Sequence, residues 1–267
     1  MRPWRRPGTP VESSALNPNQ DLNRPLILIG AGGHARVLLS TLLLQERQIL
    51  GFVDSHRIGA DLLGLAQLGG DDAVLTYDPS EILLVNGVGS PASISKRLKA
   101  YEYFRTEGYS FASVIHPGSI VAPEAKLADG VQIMAGAIVQ TGCVIEEDSI
   151  INTGARIDHD CVIRAHAHVA PGAVLSGNVH VGHRAHVGAG AVVIQNIRLG
   201  DDSIIGAGAV VTKPVKPYAL LVGNPARHMG WMSEYGQRLI FKDNVAICPE
   251  SNERYTLHDG RVMKDKQ

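Results

Sequence analysis

Histidine and aspartate side chains suited to acid–base chemistry are concentrated in one short stretch of the chain. Six of the eleven histidines lie between His159 and His186. His159 stands between Asp158 and Asp160, whose carboxylates would raise the basicity of the imidazole and fix its tautomer. Acyl transfer from a thioester to an amine or a hydroxyl needs such a base, and it also needs a hydrogen-bond donor for the developing oxyanion. An exposed turn histidine is more often simply solvated, so the surrounding elements must decide between the two interpretations.

A glycine-rich turn near the N-terminus has the composition of a phosphate-binding turn. It reads Gly30-Ala31-Gly32-Gly33-His34-Ala35, follows a predicted strand over 25–29 and opens a predicted helix over 34–44. Bare glycines let a diphosphate approach the backbone and the start of the helix. Asp54 ends the next predicted strand, over 49–53, where a carboxylate can bind ribose hydroxyls. A tight turn without any ligand is the alternative.

The elements around this turn predict a parallel sheet. A further strand is predicted over 82–85 and a second helix over 93–106, so strands and helices alternate along the chain. The region supplies one mononucleotide-binding half, whereas a dinucleotide fold needs two. A nucleotide-linked sugar is therefore the favoured ligand.

A six-residue repeat fills the middle of the chain. Seventeen positions, six apart from Ile115 to Val211, are all aliphatic. The residue four places after each is Ala, Ser or Cys in thirteen cases. A short fixed period of this length indicates a solenoid, and no helical period survives seventeen steps of six. The sequence therefore predicts a β-helix of short strands with Gly or Asn at its turns.

Composition divides the chain and excludes several classes of protein. The 267 residues are 45% hydrophobic and carry a net charge of −1, which argues against binding nucleic acid or anionic membranes through bulk charge. Three cysteines cannot form a disulfide framework, and no apolar run suits a membrane span or a secretory signal, so a soluble cytoplasmic protein is expected. We divide the chain into a disordered leader (1–24), a Rossmann-like unit (25–109), a β-helix (110–215) and a tail (216–267).

The repeat resembles that of the hexapeptide acyltransferases. The glycine turn, a Gly-Phe-Val-Asp strand end at 51–54, Ile-Asp-His-Asp-Cys at 157–161 and His-Val-Ala-Pro-Gly-Ala at 168–173 are similar to the sialic-acid O-acetyltransferase and bacillosamine N-acetyltransferase type, over roughly residues 25–226. The resemblance implies an α/β Rossmann-like βαβ subdomain followed by an all-β left-handed parallel β-helix. It also implies a homotrimer, acetyl-CoA as co-substrate, a nucleotide sugar as acceptor and no metal.

The resemblance also assigns roles to individual residues. His159 becomes the general base with Asp160 as its partner, and His168 contacts acetyl-CoA. Gly177, one coil above His159, polarises the acetyl carbonyl through its backbone N–H, and the cofactor groove continues past Ala189 and Ala207. The residues expected to hold the nucleotide sugar are Gly32, Gly33, His34, Asp54, Ser55, Gly89 and Ser90. His168 is half a coil from His159, so the two are not expected to share a site within one subunit, but they could meet across a trimer interface.

The C-terminal tail bears on the choice of substrate. The tail, with Gly-Trp-Met-Ser-Glu-Tyr-Gly at 230–236, is more similar to hexapeptide enzymes that acetylate 3-amino sugar nucleotides. The main hypothesis is thus an acetyl-CoA-dependent sugar N-acetyltransferase, or less favoured an O-acetyltransferase, of surface polysaccharide synthesis. The alternative is a non-catalytic trimeric module that binds sugar nucleotide or scaffolds partners. A zinc carbonic anhydrase is disfavoured because the histidine spacing does not match.

Overall fold

The N-terminal unit is built on a small parallel sheet. The computed structural model describes residues 23–57, 59–89 and 95–265. The strands are β1 (Leu26–Ile29), β2 (Ile49–Val53), β3 (Gln67–Gly69) and β4 (Leu83–Asn86). They pair in parallel in the order β3-β2-β1-β4, as the alternation of strands and helices predicted, although β3 was not expected.

Two helices cover this sheet. Helix α1 (Gly33–Leu44) buries Ala35, Leu38 and Leu42 against it, at the helical spacing of its apolar residues. Helix α2 (Ser95–Thr106) lies after β4, and a 3₁₀ helix spans Asp71–Thr76. None of the helices in the described ranges is long and apolar enough to cross a bilayer.

The repeat region folds as a parallel β-helix. Between Val114 and Val211 the chain forms seventeen strands of two residues each, and the second residue of every strand is one of the predicted aliphatic positions. These side chains fill the interior, with only Ile115 and Val121 of the first coil partly exposed. The strands are β5 (Val114–Ile115), β6 (Ile120–Val121), β7 (Lys126–Leu127), β8 (Gln132–Ile133), β9 (Ile138–Val139), β10 (Val144–Ile145), β11 (Ile150–Ile151), β12 (Arg156–Ile157), β13 (Val162–Ile163), β14 (His168–Val169), β15 (Val174–Leu175), β16 (His180–Val181), β17 (His186–Val187), β18 (Val192–Val193), β19 (Arg198–Leu199), β20 (Ile204–Ile205) and β21 (Val210–Val211).

Each strand pairs with the strand three places later, so one coil takes eighteen residues and has three faces. Face A contains β5, β8, β11, β14, β17 and β20; face B contains β6, β9, β12, β15, β18 and β21; face C contains β7, β10, β13, β16 and β19. The chain turns between faces at three corners, AB, BC and CA. In these turns every sixth residue from Gly130 to Gly208 has a left-handed φ, which explains why Gly, Asn and Asp recur there.

The C-terminal segment is a folded cap rather than a loose tail. Strand β22 (Ala219–Val222) pairs in parallel with β20, so face A continues past the predicted boundary at residue 215. Strands β23 (Arg227–Met232) and β24 (Arg238–Leu239) extend the same sheet in antiparallel fashion. A separate antiparallel sheet then follows, made of β25 (Val245–Ile247), β26 (Arg254–His258) and β27 (Arg261–Lys264).

The cap has its own small core. Cys248 and Tyr255 are fully buried there, and Trp231 packs against both this core and the interior of the prism. Cys143 and Cys161 occupy small interior positions in successive coils, and all three cysteines carry free thiols. The interpretation of these cysteines as buried structural residues therefore agrees with their positions.

Candidate active site

His159 and Asp160 form a dyad on the outside of the prism. They lie in the turn from β12 to β13, at corner BC, and the His159 side chain is 56% exposed. The imidazole Nδ1 is 2.8 Å from Asp160 Oδ2, and the backbone N–H of His159 donates to Asp158 Oδ1 at 2.8 Å. A carboxylate oxygen in this position accepts from Nδ1–H, which leaves the Nε2 lone pair free.

The same contact makes the imidazole a stronger base. The hydrogen bond to Asp160 raises the pKa of His159 above its ordinary value, and the charge of Asp158 acts in the same direction. A more basic imidazole removes a proton from an amine or a hydroxyl more effectively. The dyad is therefore equipped to act as a general base.

Gly177 lies directly above the His159 ring, one coil further along corner BC. A Cβ atom at this position would be 2.5 Å from His159 Nε2 and 2.6 Å from Cε1, so only glycine leaves room for the imidazole. Its φ is not left-handed, which means that space rather than backbone conformation demands glycine here. Within the described residues its backbone N–H donates to no other group, so an unused donor lies close to the imidazole.

The other predicted cofactor residues lie elsewhere on the prism. His168 is on face A, where its Nε2 is 3.0 Å from Asn152 Nδ2 and its ring meets that of His186 edge to face, with centroids 5.0 Å apart. Ala189 and Ala207 are exposed at corner AB and stacked in successive coils. Face A is opposite corner BC in a three-sided prism, so one chain does not bring His168 to His159.

A second candidate site is a cavity of about 510 Å³ in the N-terminal unit. It lies at the carboxyl ends of the parallel strands, where open α/β sheets bind their ligands. Four of the predicted substrate residues line it: Gly32, Asp54, Ser55 and Gly89. Gly33 and His34 do not line this cavity, and Ser90 lies outside the described residues.

Asp54 holds the walls of this cavity together. Its Oδ2 accepts the backbone N–H of Ala31 at 2.8 Å, and its Oδ1 accepts those of His56 and Arg57 at 2.8 and 2.9 Å. Ser55 Oγ accepts the N–H of Asp71 at 2.9 Å in the same way. These contacts connect the glycine turn to the loop after β2, and a ribose hydroxyl would have to share the carboxylate with them.

The side chain of His34 points away from the cavity and towards the prism. Its Nε2 is 2.7 Å from Gln132 Oε1 on β8. Burial lowers the pKa of His34 to about 4, so the imidazole is neutral at pH 7 and offers no charge to a phosphate. The sequence shows that His34 follows the glycine turn. The direction of its side chain is decided by the packing of the N-terminal unit on the prism, which leaves no signal in the local sequence.

Sequence reasoning missed the basic residues of the cavity. Lys96 and Lys99 reach it from α2, Arg57 from the loop after β2, and Tyr103 adds an aromatic ring. These positive charges line the same cavity as the glycine turn, so together they could bind a diphosphate. The three-residue spacing of the two lysines on an amphipathic helix was the available signal.

Another basic cavity, of about 340 Å³, lies at the C-terminal end of corner BC. Lys213, Arg227 and His228 line it. Lys213 follows Gly177 by two coils, because the series His159, Gly177, Gln195, Lys213 advances by eighteen residues each time. Stacked strands are about 4.8 Å apart, so the lysine is about 14 Å along the prism from the dyad. Stepping by eighteen from His159 would have found it.

No group of three or more histidine, cysteine or acidic side chains in the described part of the chain is arranged to hold a metal ion.

Two family profiles match the two units. The profile described as the PglD N-terminal domain matches residues 25–104, and that of the bacterial transferase hexapeptide (six repeats) matches residues 178–213. Among curated proteins, the chain is 40% identical over 53 residues to the dTDP-3-amino-3,6-dideoxy-alpha-D-galactopyranose 3-N-acetyltransferase of Aneurinibacillus thermoaerophilus. That segment is 20% of this chain and only 27% of the relative's length.

Solved structures match far more of the chain. A variant of perosamine N-acetyltransferase from Caulobacter crescentus, in complex with CoA and GDP-perosamine, is 34% identical with a TM-score of 0.73, and the match covers 77% of this chain and 97% of that one. The acetyltransferase domain of PglB from Neisseria gonorrhoeae FA1090 is 32% identical with a TM-score of 0.73, covering 78% of this chain and 100% of that one. With a Rossmann-like unit, a parallel β-helix and these relatives, the chain belongs to the hexapeptide-repeat sugar acetyltransferases.

Proposed function

We propose that this chain transfers the acetyl group of acetyl-CoA to an amino group of a nucleotide-linked sugar, with His159 as the general base and Asp160 as its partner. The observation that carries the proposal is the geometry of His159 at corner BC. Its Nδ1 is held by Asp160, and its Nε2 faces the space that Gly177 leaves open. Acceptors with a hydroxyl in place of the amine use the same groups but depend more on the base.

The reaction needs one proton acceptor and one oxyanion donor, and this corner supplies both. His159 Nε2 takes a proton from the sugar amine as its nitrogen attacks the thioester carbonyl. The Gly177 N–H donates to the oxyanion of the tetrahedral intermediate. When that intermediate collapses, the C–S bond breaks and the imidazolium returns its proton to the leaving CoA thiolate. Asp160 stabilises the imidazolium between the two steps.

The donor is proposed to lie along corner BC, with its phosphates at Lys213, Arg227 and His228. The separation of about 14 Å between dyad and basic cavity suits an extended pantetheine arm between a thioester and a nucleotide. Solved relatives support acetyl-CoA, because the PglB domain was determined with acetyl coenzyme A. In two Caulobacter structures a single histidine is replaced, by Asn and by Ala.

The acceptor's nucleotide is proposed to bind in the 510 Å³ cavity. The N-terminal unit packs on face A and corner CA of its own prism, through contacts such as His34 with Gln132 and Gln45 with the Ile115 carbonyl. This is the side opposite His159. A homotrimer resolves the separation, because a neighbouring prism then presents its corner BC to the sugar. We propose that His168 likewise contacts acetyl-CoA bound at the dyad of the neighbouring chain. The groove past Ala189 and Ala207 would face the same neighbouring chain.

The test is thiol release from acetyl-CoA in the presence of UDP-, GDP- and dTDP-linked amino sugars. His159→Ala should lower kcat about 10²–10⁴-fold and leave KM for acetyl-CoA nearly unchanged. His258→Ala is the matched control, because His258 is also exposed and its Nδ1 lies 3.1 Å from the neighbouring Asp259 Oδ2. Full activity of the His159 variant would refute the assignment of the base.

The alternative is a trimeric module that binds nucleotide sugars without catalysis. It would be favoured if calorimetry detects binding of a nucleotide sugar while no member of the panel releases thiol. The intact dyad argues for the enzyme, since a binding module has no use for a base with a raised pKa. The free thiols of all three cysteines accord with the proposed cytoplasmic location.

A further inference from the structure

A chain of buried hydrogen bonds connects the N-terminal unit to the prism. It starts at His34, passes to Gln132, and continues from Gln132 Nε2 to the carbonyl of Asn86 at 2.8 Å. Arg97 Nη1 donates to the same carbonyl at 2.9 Å, and Arg97 Nη2 reaches Asp148 Oδ1 at 2.6 Å. Gln132 and Asn86 are buried, and Arg97 and Asp148 are entirely inaccessible to solvent.

Asp148 is the member of this chain that belongs to the prism. It lies in the turn from β10 to β11, at corner CA, and its left-handed φ of 52° is one that Asp tolerates. Its Oδ1 also accepts from Asn86 Nδ2 at 3.1 Å, and its Oδ2 is 3.1 Å from His166 Nδ1. The carboxylate is thus fully engaged, with partners from β4, α2 and the next coil.

Arg97 also contacts the backbone that lines the cavity. Its Nη1 donates to the Val88 carbonyl at 3.0 Å in addition to that of Asn86, so it holds the start of the loop after β4. Gly87, Val88 and Gly89 of that loop line the cavity. Lys96 and Lys99 of the same helix also line it, because helical geometry turns them away from the face that carries Arg97.

We propose that Arg97 and Asp148 are positioning residues for acetyl transfer. Asp148 fixes the angle between the nucleotide cavity and the prism, and Arg97 fixes this angle and also the shape of the loop after β4. The inference rests on the proposed function, because the angle matters only if a sugar held in the cavity must meet a base on another prism. A buried charged pair of this kind serves geometry better than stability, since its desolvation offsets most of its attraction.

Two single variants separate binding of the nucleotide from positioning of the sugar for acetyl transfer. Asp148→Asn keeps the shape and the tolerated φ but removes the charge, and Arg97 still holds the carbonyls of Asn86 and Val88. We expect kcat to fall about 10- to 100-fold, as for a misplaced reactant, while Kd for the nucleoside diphosphate and KM for acetyl-CoA stay within about twofold. Arg97→Met should lower kcat similarly and also weaken binding of the nucleoside diphosphate, by about tenfold. UDP, GDP and dTDP are the calorimetric probes, and the tightest is used.

Controls distinguish positioning from loss of structure. Arg164→Met/Glu146→Gln removes a partly exposed pair on the same prism, whose Nη1 to Oε1 distance is 2.9 Å, and should change neither kcat nor Kd. If a single variant fails to fold, Arg97→Met/Asp148→Asn removes the pair without leaving an unpaired buried charge and should reproduce the fall in kcat.

Either of two results for a folded Asp148→Asn protein overturns the proposal. One is a kcat within about twofold of wild type. The other is a fall in kcat that is matched by equal rises in Kd for the nucleoside diphosphate and in KM for acetyl-CoA. If the wild-type chain itself releases no thiol, the proposed function fails. Calorimetry still tests the role of Arg97 at the loop in that case, because nucleoside diphosphate binding needs no catalysis.

Discussion

The His159 dyad shows how two neighbouring turn residues can produce a base on an exposed corner. Asp160 has a φ of 59°, in the left-handed region, and this backbone conformation returns its carboxylate to the preceding imidazole. The hydrogen bond both directs the ring and raises its pKa. Gly177, above the ring, is required as well, because only glycine at this position leaves space for Nε2.

Asp160→Asn should separate these two effects through the pH profile. The base must be neutral to accept a proton, so kcat/KM should rise with pH through the raised pKa of His159. An amide at position 160 still accepts a hydrogen bond but carries no charge, so the pKa of His159 falls back towards that of an ordinary imidazole and the acidic limb moves to lower pH. We expect the plateau of kcat to fall about tenfold, because a weaker base removes the proton less effectively. Rate profiles between about pH 6 and 9 measure both changes, and an unmoved limb would contradict this assignment.

Gly177→Ala should inactivate the enzyme without unfolding it. The added Cβ would overlap the His159 ring at 2.5 Å, so the exposed imidazole must turn away. We expect kcat to fall about 10²-fold, with little change in the thermal midpoint because the φ of this residue suits alanine. The double variant with His159→Ala is the control. It should be no worse than His159→Ala alone, and additive losses would show that Gly177 acts independently of the ring.

The positions of residues relative to one another were predictable from the sequence where they depend on the repeat. His159 and Gly177 are eighteen residues apart, so their stacking follows from the coil length alone. The neutrality of His34 and the three backbone contacts of Asp54 did not follow, because each is decided by segments far away in the chain.

At the scale of elements, the coils of the prism place side chains at regular intervals along its axis. Each coil adds about 4.8 Å, so a ligand lying along one corner meets side chains at fixed heights. Corner BC offers a base, then a bare backbone, and then the basic cavity around Lys213. Such a series suits a long cofactor that is reactive at one end and charged at the other.

Lys213→Ala should weaken the donor alone. We expect KM for acetyl-CoA to rise about tenfold, because one phosphate contact is lost, while kcat at saturation stays near wild type. The KM for S-acetylpantetheine, which lacks the nucleotide, should not change. Lys126→Ala, at an exposed lysine near the start of the prism, is the control. An equal effect on both donors would show that Lys213 is not at the phosphate end.

The elements differ in how well the sequence reveals them. All seventeen short strands could be located because a six-residue period leaves a signal in every coil. Strands β1, β2 and β4 lay within one residue of their predicted positions. The cap escaped prediction because its antiparallel strands have no common period, and its core depends on Trp231 and Tyr255, which are far apart in sequence.

At the scale of the whole molecule, the groups proposed for binding and catalysis lie on opposite sides of one chain. The nucleotide cavity and His168 belong to the side of face A, and the dyad belongs to corner BC. In a ring of three chains, each of the three equivalent interfaces would bring the corner BC of one chain to the face A side of its neighbour. Sedimentation of the 28.5 kDa chain should therefore show a trimer and no monomer at micromolar concentration.

Mixing two inactive chains tests the shared site directly. Chains with His159→Ala and chains with His168→Ala should each be poor enzymes alone. In a mixed trimer, one interface joins an intact His159 to an intact His168 of its neighbour. Random assembly from equal amounts should restore about a quarter of the sites, since about three quarters of the trimers are mixed and each has one complete interface. The two chains are unfolded together, refolded and assayed for thiol release, with a mixture of separately folded trimers as the control. If each site were confined to one chain, every site in the mixed trimers would lack one histidine and refolding together would restore nothing.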